Sequence, residues 1–370
     1  QNQRMNHAAI NPAFSFMYSA THQNNFDKQY RFMDPKVADD LLAEMLDKPV
    51  AATDSIPQIL NTQRPNIIFI ILESFSTHLM ETMGGQPNVA VNMDKFGKEG
   101  VLFTNFYANS FRTDRGLASI ISGYPGQPST SIMKYPEKTD GLPSIPRSLK
   151  NAGYSLEYYY GGDADFTNMR SYLVSSGIEK IISETDFPLS ERQGKWGAPD
   201  HTLFQRFLKD LKEEKQQEPF FKIVQTSSSH EPFEVPFYRL DDKVLNAFAY
   251  ADSCVGDFVR QYKETPMWKN TLIVLVPDHL GAYPRPVENP LEGHTIPLIL
   301  IGGAVKEPRV VDTYASQIDI AATLLSQLGL PHDDFTFSKN IFNPSSPHFG
   351  YFTEPTLFGM VTAENQLVYN

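Results

Sequence analysis

One short run constrains this chain more than anything else in it: NIIFIIL, Asn66 to Leu72. It is apolar and β-branched without alternation, which suits a strand covered on both faces. Its apolar part falls far short of the roughly 20 residues of a membrane-spanning helix, so it belongs inside a layered globular domain. Similar runs recur as SLEYYYGG, FFKIVQTS, TLIVLVPD and IPLILIGG, with VLFTNFYAN as one further strand. Between them lie helical patterns: NMDKFGKEG ended by Gly100, GLASIISGYP stopped by Gly123 and Pro125, SIPRSLKNAGY, HTLFQRFLKDLKEEK, VLNAFAYADSCVGDFVRQYKE and SQIDIAATLLSQLGL. Strands alternating with helices imply an α/β fold, a mostly parallel central sheet flanked by helices on both faces.

The ends of the chain read differently. GYFTEPTLFGMVTAENQLVYN looks like short strands with a turn near Glu364-Asn365, a small antiparallel C-terminal subdomain. Ahead of Pro65 the chain is polar and mixed. A helix, PKVADDLLAEMLDK, begins at Asp34-Pro35 with proline in its first turn, and an exposed connector follows to Arg64. The expected organisation is an arm or linker over 1–64, a main domain over 65–335 and a β subdomain over 336–370.

Composition excludes some functions. With 370 residues, 41% of them hydrophobic, the chain can bury a large core and does not read as disordered. A net charge of -11 argues against a nucleic-acid partner. It does not forbid an anionic substrate, because a bound divalent cation reverses the local sign. The single cysteine, Cys254, permits no intrachain disulfide and reads as a small buried hydrophobe on a helix.

Ligands of open α/β sheets bind beyond the carboxyl ends of the strands. The run 66–72 ends in Glu73-Ser74, the run 271–276 in Pro277-Asp278-His279, and the run 220–226 in Ser227-Ser228-Ser229-His230. Carboxylates and neutral imidazole are what a hard or borderline divalent cation takes. Singly, each has a plainer reading: Glu73 as a helix N-terminal carboxylate, Asp278-His279 as a turn aspartate beside a surface histidine, His230 as a turn residue. Thr113 stands between a strand and a helix expected to start near Asp114 or Arg115. A hydroxyl there meets the backbone N–H groups and the dipole that favour a phosphate or sulfate; the same place also suits an N-cap threonine.

Together PNIIFIILES, RTDRGLASIISGYP, SSSHEPF and VPDHLG resemble the sulfatase-like branch of the alkaline phosphatase superfamily, over about residues 65–335. Sulfatases place Cys or Ser, then x-P-x-R, ahead of a helix ending in Thr-Gly. Here Thr113 holds the nucleophile's register against Ser122-Gly123, while Arg115 and Leu117 stand where the motif has proline and arginine. Threonine cannot become formylglycine, which argues against sulfate ester hydrolysis. Within the branch the chain is most similar to phosphoglycerol transferases and lipoteichoic acid synthases, with further likeness in KWGAPDHTLF, AYADSCVGDF and SQIDIAATLL. The resemblance implies one divalent metal, usually manganese, held by Glu73, Thr113, Asp278 and His279; magnesium and zinc also suit these ligand types. It makes Thr113 the nucleophile and His230 its catalytic companion. The family's substrate segment departs here: Tyr160 replaces a histidine that helps bind glycerol phosphate, and Arg170 lies one position beyond the family's arginine. Tyr160, Arg170, Arg115 and His294 are the substrate-side candidates, His294 being either that or a plain loop residue.

The function implied is transfer of a phosphoglycerol-type or phosphoethanolamine-type headgroup from a lipid phosphodiester to a glycan or polyglycerol phosphate acceptor. By the same resemblance, an N-terminal membrane region preceded Gln1, and the domain faces outward from the cell membrane. A phosphodiesterase or atypical sulfatase of the same fold, or a non-catalytic ectodomain, are the alternatives.

Overall fold

The computed structural model describes residues 11–21, 31–213, 216–281, 283 and 289–370. They divide into two compact units, 1–45 and 46–370. In the first, helices span Pro12–Thr21 and Pro35–Met45. Asp34 starts the second helix, its carboxylate accepting from the Lys36 N–H at 2.9 Å, and no residue of that helix is buried.

Among the described residues the second unit contains thirteen strands: β1 (Asn66–Leu72), β2 (Val101–Phe103), β3 (Phe106–Tyr107), β4 (Ser155–Tyr160), β5 (Lys180–Ile182), β6 (Phe220–Gln225), β7 (Thr271–Pro277), β8 (Leu298–Ile301), β9 (Arg309–Val311), β10 (Ala315–Ser316), β11 (Gly350–Thr353), β12 (Phe358–Val361) and β13 (Gln366–Tyr369). Eight of them form the main sheet in the order β5-β4-β6-β1-β7-β8-β2-β9. All its pairings are parallel except the two made by β8. The expected mostly parallel sheet is there, with β8 as its one reversed strand. The antiparallel C-terminal sheet, β11-β12-β13, is there too.

β1 lies near the middle of the sheet and every residue in it is buried. Ile67, Phe69 and Ile71 pack with the helices Thr113–Ser122, Ile145–Asn151 and Ile320–Gln327. Ile68, Ile70 and Leu72 pack on the other face with Val91–Glu99, Asp200–Glu213 and Lys243–Tyr262. A strand alternates its side chains between faces, so covering both faces requires the unbroken apolar run. Each such buried side chain contributes roughly 1.5–3 kcal/mol, before the cost of ordering the chain.

Two local differences from the sequence reading have simple causes. VLFTNFYAN is divided: β2 joins the main sheet while β3 pairs with β10. The connector before Arg64 is exposed only in part, because Ile59 and Leu60 are 5% and 4% exposed and fill the core beside Ile320–Gln327.

Register places the site. Ile71 pairs with Gln225 of β6 and Leu72 with Pro277 of β7. The ladder runs one step further, with Thr226 N–H donating to the Ile71 carbonyl (3.0 Å) and Asp278 N–H to the Leu72 carbonyl (3.1 Å). Three adjacent parallel strands therefore end level, and the residues after them emerge on one edge.

Candidate active site at the carboxyl edge

Glu73, Asp278 and His279 each place one ligand atom within 4.8 Å of the others. Thr113 Oγ1 lies 3.4 Å from Glu73 Oε2 and 3.5 Å from His279 Nε2. His279 Nδ1 faces the Leu280 carbonyl at 2.9 Å. A carbonyl only accepts, so Nδ1 carries the proton and the Nε2 lone pair points into the group. Asp278 Oδ1 accepts from the N–H groups of Ser74 (2.9 Å) and His279 (2.8 Å). Its Oδ2 is buried with no hydrogen-bond partner.

The electrostatics of this cradle are set by two buried carboxylates beside one another. Burial first, and then the neighbouring Asp278 carboxylate, push the Glu73 carboxyl up to about 8. Burial alone would lower the imidazolium of His279, but Asp278 and Glu73 outweigh it and leave the group raised. An orphaned buried oxygen, a second carboxylate and an aimed imidazole fit a divalent cation as ligands. Cation-free, they are a costly arrangement.

Thr113 opens the helix Thr113–Ser122. Arg112 is the N-cap and makes no side-chain cap bond, so Thr113 is the first helical residue rather than the cap, and the helix starts one residue earlier than expected. Gly123 ends it in the left-handed conformation at φ 57°. Gly116 lets the helix reach the ligand turn, since a Cβ at that position would collide with the Asp278 carbonyl. Gln317 ties the same parts together. Its Nε2 donates to the carbonyls of Pro277 (2.8 Å) and Asp278 (2.7 Å), and its Oε1 accepts from Asn109 N–H (2.9 Å). SQIDIAATLL was recognisable as a motif, but nothing local in it points to that clamp.

The β6 turn forms the next wall. Ser229 Oγ donates to the Glu73 carbonyl (2.7 Å). Buried Asp200 accepts from the N–H groups of Ser227 (2.9 Å) and Ser228 (3.2 Å), with burial raising its carboxyl to about 6. His230 stands at the end of the turn. Burial lowers its imidazolium, and it lies close enough to His279 and Asp278 to feel both charges. Trp196 lies against it, ring centroids 4.3 Å apart. That contact joins segments far apart in sequence, and only the likeness of KWGAPDHTLF pointed at the tryptophan.

Tyr160 is 9% exposed, its phenol raised by burial and then by Glu73 and Asp278. It thus borders the cradle. Arg170 Nε bonds Asp165 (2.8 Å) and its Nη2 donates to Ser183 (3.0 Å). Arg115 is buried, donating to the Gln127 carbonyl (2.8 Å) with its guanidinium over the Phe111 ring. His294 is also buried. Its ring stacks on Phe352 at 4.1 Å and its nitrogens meet the Ala108 carbonyl (3.1 Å) and Glu354 (3.2 Å). Those contacts make it a staple between β11 and the segment after β3. Arg115 and His294 have their polar atoms engaged by protein groups and are not part of the group gathered around Thr113.

A profile of the family described as Sulfatase matches residues 65–330. Lipoteichoic acid synthase 2 of Bacillus subtilis (strain 168) is 23% identical over 74% of this chain and 46% of its own length. Phosphoglycerol transferase I of Xanthomonas campestris pv. campestris (strain B100) is 24% identical over 79% of this chain and 45% of its own. The chain spans about half the length of the curated relatives it matches. Among solved structures, a protein in the alkaline phosphatase superfamily from Vibrio parahaemolyticus superposes with a TM-score of 0.82 at 28% identity, covering 92% of this chain and 87% of that one. The lipoteichoic acid synthase LtaP from Listeria monocytogenes shares the fold, with a TM-score of 0.73 at 20% identity over 91% of each chain.

Proposed function

The chain belongs to the sulfatase family, and from that premise we propose that it is a metal-dependent phosphotransferase. It moves a phosphoglycerol-type or phosphoethanolamine-type headgroup from a lipid phosphodiester to an acceptor hydroxyl through a phosphothreonine on Thr113. One observation carries this reading: a threonine hydroxyl at the first position of a helix lies 3.4 Å from Glu73 and 3.5 Å from His279, beside an unpartnered Asp278 oxygen. Relatives named as lipoteichoic acid synthases and phosphoglycerol transferases support the reaction class.

Glu73, Asp278, His279 and the Thr113 hydroxyl would hold the cation, manganese first, with magnesium and zinc compatible. When bound, it acidifies the hydroxyl and draws charge from the phosphoryl oxygens. The residues themselves do the rest. The first turn of Thr113–Ser122 directs its N–H groups at the phosphate. Thr113 Oγ1 attacks phosphorus in line and the bond to the lipid alcohol breaks. His230 delivers a proton to the leaving oxygen, and the Tyr160 phenol donates to the headgroup. In the second displacement an acceptor hydroxyl, on a glycan or polyglycerol phosphate, takes the group from Thr113. The setting is the outer side of the cell membrane, where donor lipid and acceptor meet.

The decisive measurement is mass spectrometry of the peptide carrying Thr113 after incubation with phosphodiester donor and no acceptor. A headgroup-phosphate adduct on Thr113 is expected, cleared when acceptor is added. An unmodified peptide during active turnover would sink the mechanism. Adduct cleared only by water would make the protein a phosphodiesterase.

A further inference from the structure

Beside the cradle lies a cleft of about 220 Å³ with His230 in its wall. One tight turn separates the two. Toward the cradle, Ser229 holds the Glu73 carbonyl; toward the cleft, Ser227, Ser228 and His230 form the wall. Trp196, packed on His230, and Val235 and Pro236 line it as well. Trp196 is fixed in place: its Nε1 donates to the Glu231 carbonyl (2.7 Å), and the Phe166 ring meets it edge-on at 6.0 Å. The lining mixes apolar surface with polar groups: hydroxyls, the Gln193 amide and one imidazole. Its charged groups, Lys195 and Glu234, are exposed. Such a lining suits a neutral, hydroxylated body rather than a phosphate.

We propose that this cleft is the acceptor subsite and that it takes a neutral polyol, a glycerol unit or a sugar ring. The inference rests on the phosphotransferase reading and deepens it. Both displacements act in line at the same phosphorus, so the entering oxygen must occupy the place the leaving oxygen vacated, opposite Thr113 Oγ1. His230 is the side chain shared by cleft and cradle. Its Nδ1 faces the Glu231 carbonyl at 3.2 Å, which puts the proton on Nδ1 and leaves the Nε2 lone pair to accept. The acceptor O–H proton passes to Nε2, and the acceptor oxygen bonds phosphorus. The P–O bond to Thr113 breaks with its electron pair on Oγ1, which regains from water the proton lost in the first step.

The test uses the full chain with manganese, the p-nitrophenyl diester of glycerol phosphate as donor, and glycerol or methyl glucoside as acceptor. Mass spectrometry counts transferred diester against free glycerol phosphate. Both products come from one intermediate, so damage to the fold or to metal binding lowers both and leaves their ratio alone. Val235→Trp fills the cleft from its wall, and Glu234→Trp narrows it from an exposed position that folding does not depend on. The ratio of transfer to hydrolysis should fall at least about fivefold in each, as loss of a significant binding contact does. A ratio within twofold of the unaltered protein's, in both variants, overturns the subsite. Hydrolysis without transfer by the unaltered protein overturns the phosphotransferase reading instead, which is a separate result.

Discussion

The two sides of the site are built differently. The cradle hangs from strand ends: Glu73, Asp278 and His279 are 4%, 0% and 9% exposed, and the Asp278 N–H continues the β ladder by donating to the Leu72 carbonyl. The facing wall starts from Tyr160, the last residue of β4, and otherwise hangs from loops. Tyr160 is followed by a segment that turns through left-handed Thr167 and Asn168 before Arg170, and Trp196 and His230 brace each other across separate loops. Reaction chemistry needs atoms held to a fraction of an ångström, which strand ends provide. Headgroup choice needs a surface that can change without disturbing them, which loops provide. The contrast predicts that changes in the cradle abolish the reaction, whereas changes in the wall redirect it.

The largest effect belongs to Thr113→Ala. Turnover should fall by several orders of magnitude, because no covalent route remains. Stability should fall by no more than about 1.5 kcal/mol, since Thr113 makes no cap bond and loses only its long contacts to Glu73 and His279. A steady-state assay beside thermal unfolding checks both, and retained turnover would break the comparison at its strongest point. Next is Asp278→Asn, which keeps an acceptor for the two N–H groups but loses the ligand charge. Manganese affinity by calorimetry should drop beyond the roughly 10–100-fold that loss of an outer-shell partner costs. Undiminished binding would remove Asp278 from the cradle.

Gly116→Ala probes the spacing between the two catalytic pieces. Alanine gains about 1 kcal/mol of helix propensity, but overpacking against the Asp278 carbonyl costs typically 1–3 kcal/mol. The clash should win, lowering Tm and weakening manganese binding together; a stabilised variant with normal metal affinity would show that the helix has slack. On the wall, Tyr160→His should tighten a glycerol phosphate ester by about fivefold in KM, because a hydrogen bond from a group that can be cationic replaces one from a neutral phenol, with kcat little changed. A fall in kcat instead would move Tyr160 across to the cradle side.

The smallest effect lies outside both regions, at His332 and Asp47, 3.7 Å apart. The Asp47 carboxylate raises the His332 imidazolium above its usual 6.5. Burial opposes ionisation of Asp47, but the His332 ring and the hydrogen bond from Ser346 outweigh it and leave the carboxyl below its usual 3.8. The histidine's share of stability is complete below 6.5 and lost as pH rises through its folded value. The aspartate's share is present above 3.8 and lost as pH falls through its folded value. The pair therefore supports the fold most between those limits, by under about 1 kcal/mol. Unfolding of His332→Gln across pH 4–8 should lose only that window, with activity per folded molecule unchanged.

Much of the cradle was legible because its cause is local. An unbroken apolar run marks a buried strand, and the residues just after it lie at the edge. The reversed direction of β8 was not legible, because LILI reads alike both ways. Gln317 and Trp196 act through partners far away in sequence, and no periodicity records such contacts. Arg115, at a position of the family motif, and His294, just ahead of a strand, are substrate-side candidates by sequence, but their nitrogens meet Gln127, Ala108 and Glu354, neighbours that no local pattern records. The burial of Ile59 and Leu60 similarly depends on a helix more than 250 positions downstream.

The level ends of β1, β6 and β7 also define a particular way for the chain to go wrong. Side chains on a strand alternate with a period of two, so β7 could slip by two residues against β1 and still bury the same faces. Asp278 and His279 would then sit roughly 6.6 Å from their places, out of reach of Glu73. Such a molecule would be well packed, resistant to proteolysis and catalytically dead. In that event, yield of soluble material and yield of active material would measure different events in folding.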